Sequence, residues 1–315
     1  MATGRFAPSP TGDLHLGNLR TALVAWLFAR QAGSGFLVRM EDLDRVQASA
    51  DHERSQLADL AALGLDWDGE VVRQSERFDR YEAAIARLTA AGFTYPCSCT
   101  RREIREASAA PHGDPLPDGA YPGTCRDLTD AERQAQVESG RPLALRLRGP
   151  GTTVTVHDEL QGEVSALVDD VVLRRNDGVP AYNLAVVVDD AAQGIEQVVR
   201  GDDLASSAPR QRYLADLLGL APVAYAHVPL VLGPTGQRLA KRDGAVTVAD
   251  QLALGRTPEQ LVGTLAHSLG LVDAPEPVRA ADLIAAFEPT RITSAPWTFE
   301  TTHLHCHPHP GSNFS

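Results

Sequence analysis

The chain has 315 residues, 43% of them hydrophobic, which suits about two domains and a sizeable core and leaves no apolar run long enough to cross a bilayer. With 41 acidic against 29 basic residues the formal net charge is −12, which excludes a non-specific nucleic-acid coat but not a local basic face. No basic-then-apolar leader opens the sequence, so a cytoplasmic protein is expected.

Residues 4–7 read as a short strand, Pro8 to Gly12 as a tight loop, and Leu16, Leu19, Leu23 and Leu27 recur at helical spacing. A helix start carries unpaired N–H groups and partial positive charge, so His15 beside Gly17 can hold a polyphosphate there. The spacing is neither a Walker loop nor a dinucleotide fingerprint. On the residues alone, a phosphate site and a plain helix-entry loop fit equally.

Residues 36–40 form the next buried strand and end at Glu41, which predicts a parallel α/β sheet with Arg5, His15 and Glu41 converging at its carboxyl edge. A helix through Leu57, Leu60 and Leu63 and another through Tyr81, Ile85 and Leu88 follow. Residues 107–127, rich in Pro, Gly and Asp, lack periodicity and suggest an insertion held by something other than a core. Strand patterns return at residues 143–147, 152–156 and 171–174. Residues 182–188 and 196–200 read as buried strands again, so the sheet is split by about 80 residues, far more than an ordinary loop. Residues 248–286 are helical in pattern.

Several of these segments carry a resemblance. Arg5-Phe6-Ala7-Pro8-Ser9-Pro10-Thr11-Gly12 with His15-Leu16-Gly17-Asn18 resembles the first signature of the class I glutamyl-tRNA synthetases. Arg39 to Asp44, Leu65 to Gly69, Gln74 to Arg77, Tyr182 to Ala185 and Val199 to Leu204 match in order. Gly236-Gln237-Arg238-Leu239-Ala240-Lys241-Arg242 sits where that family carries its second, lysine-bearing signature, with Ala240 in place of the usual serine. The chain stops soon after the stem-contacting helices, before the anticodon-reading part of the longer members. That length, with Cys97-Ser98-Cys99, Tyr121 and Cys125, resembles the short paralogues, the glutamyl-Q tRNA(Asp) synthetases.

The resemblance implies a class I Rossmann-like α/β fold. Its expected parts are a catalytic first half (1–96), an insertion with a zinc knuckle (97–175), a catalytic second half with the lysine loop (176–245), a helical stem-contact-like region (246–295) and a disordered tail (296–315). It implies a ligase that activates L-glutamate with ATP and Mg²⁺, without tRNA, and passes glutamate to the queuosine base of tRNA(Asp). His15 and Lys241 would stabilise charge at the α-phosphate, and Gly17 and Asn18 would complete the ATP site. Arg5, Phe6, Ala7, Pro8, Ser9, Tyr182 and Arg200 would surround the glutamate carboxylates, and Glu41 would take the ammonium group. Chemistry agrees: adenylation needs positioning and charge stabilisation more than proton transfer, and arginine grips carboxylates bidentately. An ion pair of Arg200 with Asp202 or Asp203 is the structural alternative.

One Zn²⁺ is expected on Cys97, Cys99 and Cys125, since clustered thiols in a reducing compartment favour a metal over a disulfide. His112 is the better fourth ligand chemically; the family pattern points to Tyr121, which is followed here. The tail, with His303, His305, Cys306, His307 and His309, matches nothing in the family. The other readings are a truncated conventional glutamyl-tRNA synthetase, a glutamine-charging enzyme and an inactive synthetase-like binding protein.

Overall fold

A computed structural model describes residues 2–108, 120–240, 243, 244 and 246–299. β1 (Gly4–Phe6) leads through the proline loop into α1 (Leu16–Gln31), and β2 (Phe36–Met40) returns parallel to it, pairing Gly4 with Phe36 and Phe6 with Val38. α2 (Ala50–Ala62), the short β3 (Val72–Arg73) and α3 (Phe78–Ala90) complete the first half. α1 is buried almost all round, through Leu19, Leu23, Val24, Trp26 and Leu27, as befits a helix at the centre of a layered fold. Each of its buried leucines contributes about 2 kcal/mol of apolar transfer.

β4 (Thr94–Cys97), α4 (Arg101–Ser108), α5 (Asp130–Glu138) and β5 (Ala144–Leu147) follow. They precede β6 (Thr153–Asp158), β7 (Gly162–Leu167) and β8 (Val172–Arg174). β4, β5 and β8 form a separate antiparallel sheet in the order β4-β5-β8. β6 and β7 do not belong to it. They extend the main sheet, because β6 lies parallel to β10 (Ala224–Val228) with Tyr225 opposite Asp158, and β7 hairpins back on β6. Among the described residues the main sheet runs β3-β2-β1-β9-β10-β6-β7, where β9 is Gln197–Gly201. The sheet therefore draws one edge from the segment expected to be wholly an insertion.

Residues 182–188 are not a strand. α6 spans Tyr182–Ala192, capped without a side-chain bond from Ala181. The run Val186-Val187-Val188 favours extended backbone, but burial of Leu184, Ala185 and Val186 in one cluster with Tyr81, Ile85 and Leu88 of α3 overrides it. Leu214 and Leu218 complete that cluster from α7 (Ala208–Leu217) and its end.

The chain closes with β11 (Val231–Leu232), α8 (Val248–Ala253), α9 (Pro258–Ser268), α10 (Ala280–Leu283) and β12 (Trp297–Thr298). The helical region shares its core with the first half: Leu261, Leu265 and Leu269 join the cluster of Leu19, Leu23 and Leu27. Arg20, fully buried in α1, fastens the two by donating to the Pro229 carbonyl at 2.5 Å and to Ser268 Oγ at 3.1 Å. Within the segment expected as a disordered tail, Trp297–Thr298 pairs parallel with β11 and Phe299 is fully buried. Residues 300–315, with the histidine cluster, lie outside the described residues. No helix among the described residues is long and apolar enough to cross a membrane.

Candidate active site

A cleft of about 520 Å³ opens beyond the carboxyl ends of β1 and β9, adjacent parallel strands from which the sheet grows in both directions. Ligands of open α/β sheets bind at such switch points. Its walls include Arg5, Phe6, Ala7, Pro8, Ser9, His15, Gly17, Asn18, Glu41, Tyr182 and Arg200. Lys241 lies outside the described residues; of its described neighbours, Ala240 N–H donates to Asp243 Oδ2 at 2.8 Å and Val246 O accepts from Leu16 N–H at 2.8 Å.

His15 is the N-cap of α1. Its Nδ1 accepts from Gly17 N–H at 3.1 Å and Asn18 N–H at 3.3 Å, while Asn18 Oδ1 accepts from His15 N–H at 3.2 Å. Two donors at Nδ1 leave the ring proton on Nε2, which makes His15 a neutral donor. Burial, and then the charge of Arg238, lowers its pKa to about 4, so it stays neutral at physiological pH. Gly17 is required for contact with this ring, because a Cβ there would stand 2.9 Å from His15 Cε1. The helix start thus differs from the expected open cradle. The N–H groups of Leu16, Gly17 and Asn18 all have protein partners, leaving the His15 side chain, not the backbone, as the donor this cap can offer.

Arg5 is anchored by its Nε to Asp190 Oδ1 at 3.2 Å and by Nη1 to the Val199 carbonyl at 3.2 Å. The fully buried Arg39 shares Asp190 at 2.8 Å and reaches Glu41 Oε1 at 3.5 Å. Burial works against the Asp190 carboxylate, but Arg5 and Arg39 outweigh it and hold its pKa below the ordinary range. For Glu41 the balance is reversed: burial raises its carboxyl despite Arg39 and Arg5. A cationic group in the cleft would favour the Glu41 carboxylate against that burial.

Arg200 makes no ion pair among the described residues. It is 6% exposed and donates to His227 Nε2 at 3.0 Å, Gln211 Oε1 at 2.8 Å, Tyr182 Oη at 3.4 Å and the Leu204 carbonyl at 3.3 Å, all neutral. The alternative pairing with Asp202 or Asp203 is not formed; Asp203 is taken by Arg238 at 2.6 Å. A buried guanidinium with neutral partners suits an anionic ligand. Gln56, Arg238, Gln211 and His227 escaped the sequence reading. Arg238 alone stood inside a quoted signature; the others carry no local pattern.

A second cluster lies at the end of β4. The Sγ atoms of Cys97, Cys99 and Cys125 lie within 4.8 Å of one another, and Tyr121 Oη stands 3.4 Å from Cys97 Sγ and 3.6 Å from Cys99 Sγ. Tetrahedral zinc with Zn–S near 2.3 Å needs sulfurs about 3.8 Å apart, so the donor set fits. Burial pushes the Cys99 thiol up to about 12, a value that a divalent cation would reverse. Tyr121 is packed beneath Arg146, whose Cζ stands 3.7 Å from the ring centre. His112 lies outside the described residues.

The sequence matches the family described as tRNA synthetases class I (E and Q), catalytic domain, over residues 1–306. It is 64% identical over 294 residues to a glutamyl-Q tRNA(Asp) synthetase of Nocardia farcinica, covering 93% of this chain and 92% of that one. It is 52% identical to one of Cutibacterium acnes, covering 92% and 82%. The crystal structure of a glutamate tRNA ligase from Elizabethkingia meningosepticum, in complex with its amino acid, superposes with a TM-score of 0.82 at 28% identity, over 96% of this chain and 68% of that one. The chain belongs to the class I tRNA synthetases of the glutamate and glutamine group.

Proposed function

We propose that this protein activates L-glutamate with ATP in the absence of tRNA and transfers the glutamyl group to the queuosine base of tRNA(Asp). The observation that carries the amino-acid half is the charge pattern of the cleft. Among the described residues Arg200 is a buried cation without an ion pair, Glu41 is a carboxyl whose burial Arg39 and Arg5 only partly offset, and Tyr182 lies under the influence of both. An amino acid with a second carboxylate answers both needs: its ammonium goes to Glu41, and its carboxylates to Arg5, Tyr182 and Arg200. The queuosine half rests on the names of relatives that share most of this chain's length.

In the first step a carboxylate oxygen of glutamate attacks the α-phosphorus of ATP and pyrophosphate leaves. His15 Nε2–H and Lys241 stabilise the charge on the phosphates, and Gly17 and Asn18 support His15 from the helix start. Mg²⁺ travels with ATP, held by phosphate oxygens and water rather than by a protein cage. In the second step the queuosine base displaces AMP from the adenylate carbonyl. Cys97, Cys99, Tyr121 and Cys125 would hold one Zn²⁺, which supplies a cross-link for a segment with little core of its own. The reading places the protein in the cytoplasm, with tRNA and reduced thiols.

Glutamate-dependent exchange of labelled pyrophosphate into ATP, measured without tRNA, tests the activation step. Exchange with glutamate and none with aspartate is expected; no exchange without tRNA overturns it.

A further inference from the structure

Arg200 reaches the cleft from a buried relay that the activation chemistry above does not use. His227 of β10 is fully buried and stands opposite Arg200 of β9 in the parallel register. Its Nδ1 lies 2.5 Å from Asp158 Oδ2 and its Nε2 lies 3.0 Å from Arg200 Nε. Arginine can only donate and an ionised carboxylate can only accept. The two bonds therefore fix one neutral tautomer, with the proton on Nδ1 and the lone pair of Nε2 turned to the guanidinium. Asp158 is itself held from several directions, accepting from the backbone N–H groups of Leu160 at 3.0 Å, Gln161 at 2.9 Å and His227 at 3.1 Å. Tyr225 stacks on the imidazole at 5.9 Å with an interplanar angle of 14°. Gln211 Oε1 holds a second edge of Arg200, and its own Nε2 is fixed on Asn183 Oδ1 at 3.0 Å.

We propose that Asp158 and His227 are positioning residues that aim the Arg200 guanidinium at a substrate carboxylate, and that the neutral imidazole between them sets the preference for a carboxylate over an amide at that subsite. Direct pairing of Asp158 with Arg200 would orient the guanidinium equally well. It would also spend the positive charge inside the protein and leave a site indifferent to glutamate or glutamine. With a neutral acceptor interposed, the guanidinium is oriented while the Asp158 carboxylate is kept one imidazole away from it. The inference rests on the proposed glutamate activation and adds the determinant of its selectivity.

Two polar variants of His227 separate positioning from bulk structure. In His227→Gln the amide oxygen reaches Arg200 Nε and the amide N–H faces Asp158; in His227→Asn the shorter side chain serves Asp158 but falls short of Arg200. The readouts are KM for glutamate, KM for ATP and the glutamate-to-glutamine ratio of kcat/KM in tRNA-independent pyrophosphate exchange. The expected result is an about tenfold or larger rise in glutamate KM and an about tenfold fall in the ratio for His227→Asn, the scale of one lost bond to a charged group. ATP KM stays within about twofold, and His227→Gln recovers most of the loss. Equal behaviour of the two variants, or parallel changes in both KM values, overturns the positioning role while leaving glutamate activation standing. A wild-type protein without exchange overturns the activation reading itself, and this inference with it.

Discussion

Gln56 Nε2 donates to the Gly12 carbonyl at 2.7 Å and to the Ser9 carbonyl at 3.0 Å, so one buried amide on α2 holds both ends of the first signature loop. The loop's prolines supply no N–H groups of their own to fix it. Gln56→Leu keeps the volume and removes the side-chain donor of the half-buried Gly12 carbonyl, while the Ser9 carbonyl keeps Thr11 N–H at 2.9 Å. It is expected to lower unfolding free energy by about 1 kcal/mol in urea titrations and to raise KM for ATP and glutamate together. Unchanged stability and unchanged KM values would show that the loop holds its shape without this clamp.

His15 makes the cap pH-sensitive on the acid side. Its folded pKa of about 4 lies below the ordinary histidine value of 6.5, so the neutral cap contributes stability above pH 6.5 that is lost as pH falls toward 4. His15→Asn, a good N-cap that does not titrate there, should be flatter over that window. Thermal melts from pH 7 to pH 4 are expected to show wild type losing about 2 kcal/mol relative to the variant. Parallel melting curves would contradict the neutral-cap assignment. Because His15 is already neutral at pH 7, its titration should also leave no step in the exchange rate between pH 6 and 8.

Arg200 cannot be replaced by lysine, although the charge is kept. Lysine has a single nitrogen, and Arg200 spreads donors over His227, Gln211, Tyr182 and the Leu204 carbonyl. Arg200→Lys is expected to lower kcat/KM for glutamate by about 100-fold with little change in the KM for ATP. A loss under threefold would mean that the guanidinium fork does not read the substrate.

For the sulfur cluster, protein purified without chelators should carry one zinc per chain by elemental analysis. Cys99→Ser should lose most of it, together with thermal stability. Tyr121→Phe with full zinc would move the fourth ligand to His112, and a wild-type content far below one would remove the metal from the account.

What could be read from sequence was local. The first signature declares itself within a dozen residues, because a strand end, a proline loop and a histidine-capped helix are adjacent in the chain and their geometry follows from neighbours. Arg200 was legible by its place at a strand end before polar residues. His227 and Asp158 were not: they are 69 residues apart and meet only because β6 crosses to the main sheet and pairs at Tyr225. α6 was misread for a related reason. Its valines follow strand preference, and what makes it a helix is the apolar surface of α3 and α7, which no local window contains. As a helix it also sends its adjacent acids to different partners, Asp189 to Gln74, Arg77 and Tyr81 and Asp190 to Arg5 and Arg39.

The destination of the glutamyl group is the central claim, and labelled glutamate tests it most directly. The protein is given ATP, labelled glutamate and tRNA(Asp) with or without queuosine, and the acceptor ends are oxidised beforehand with the queuosine diol protected. The account predicts label on the queuosine-bearing tRNA alone, undiminished by loss of the terminal ribose diol. Equal labelling of both tRNAs, or labelling abolished by that oxidation, would contradict it.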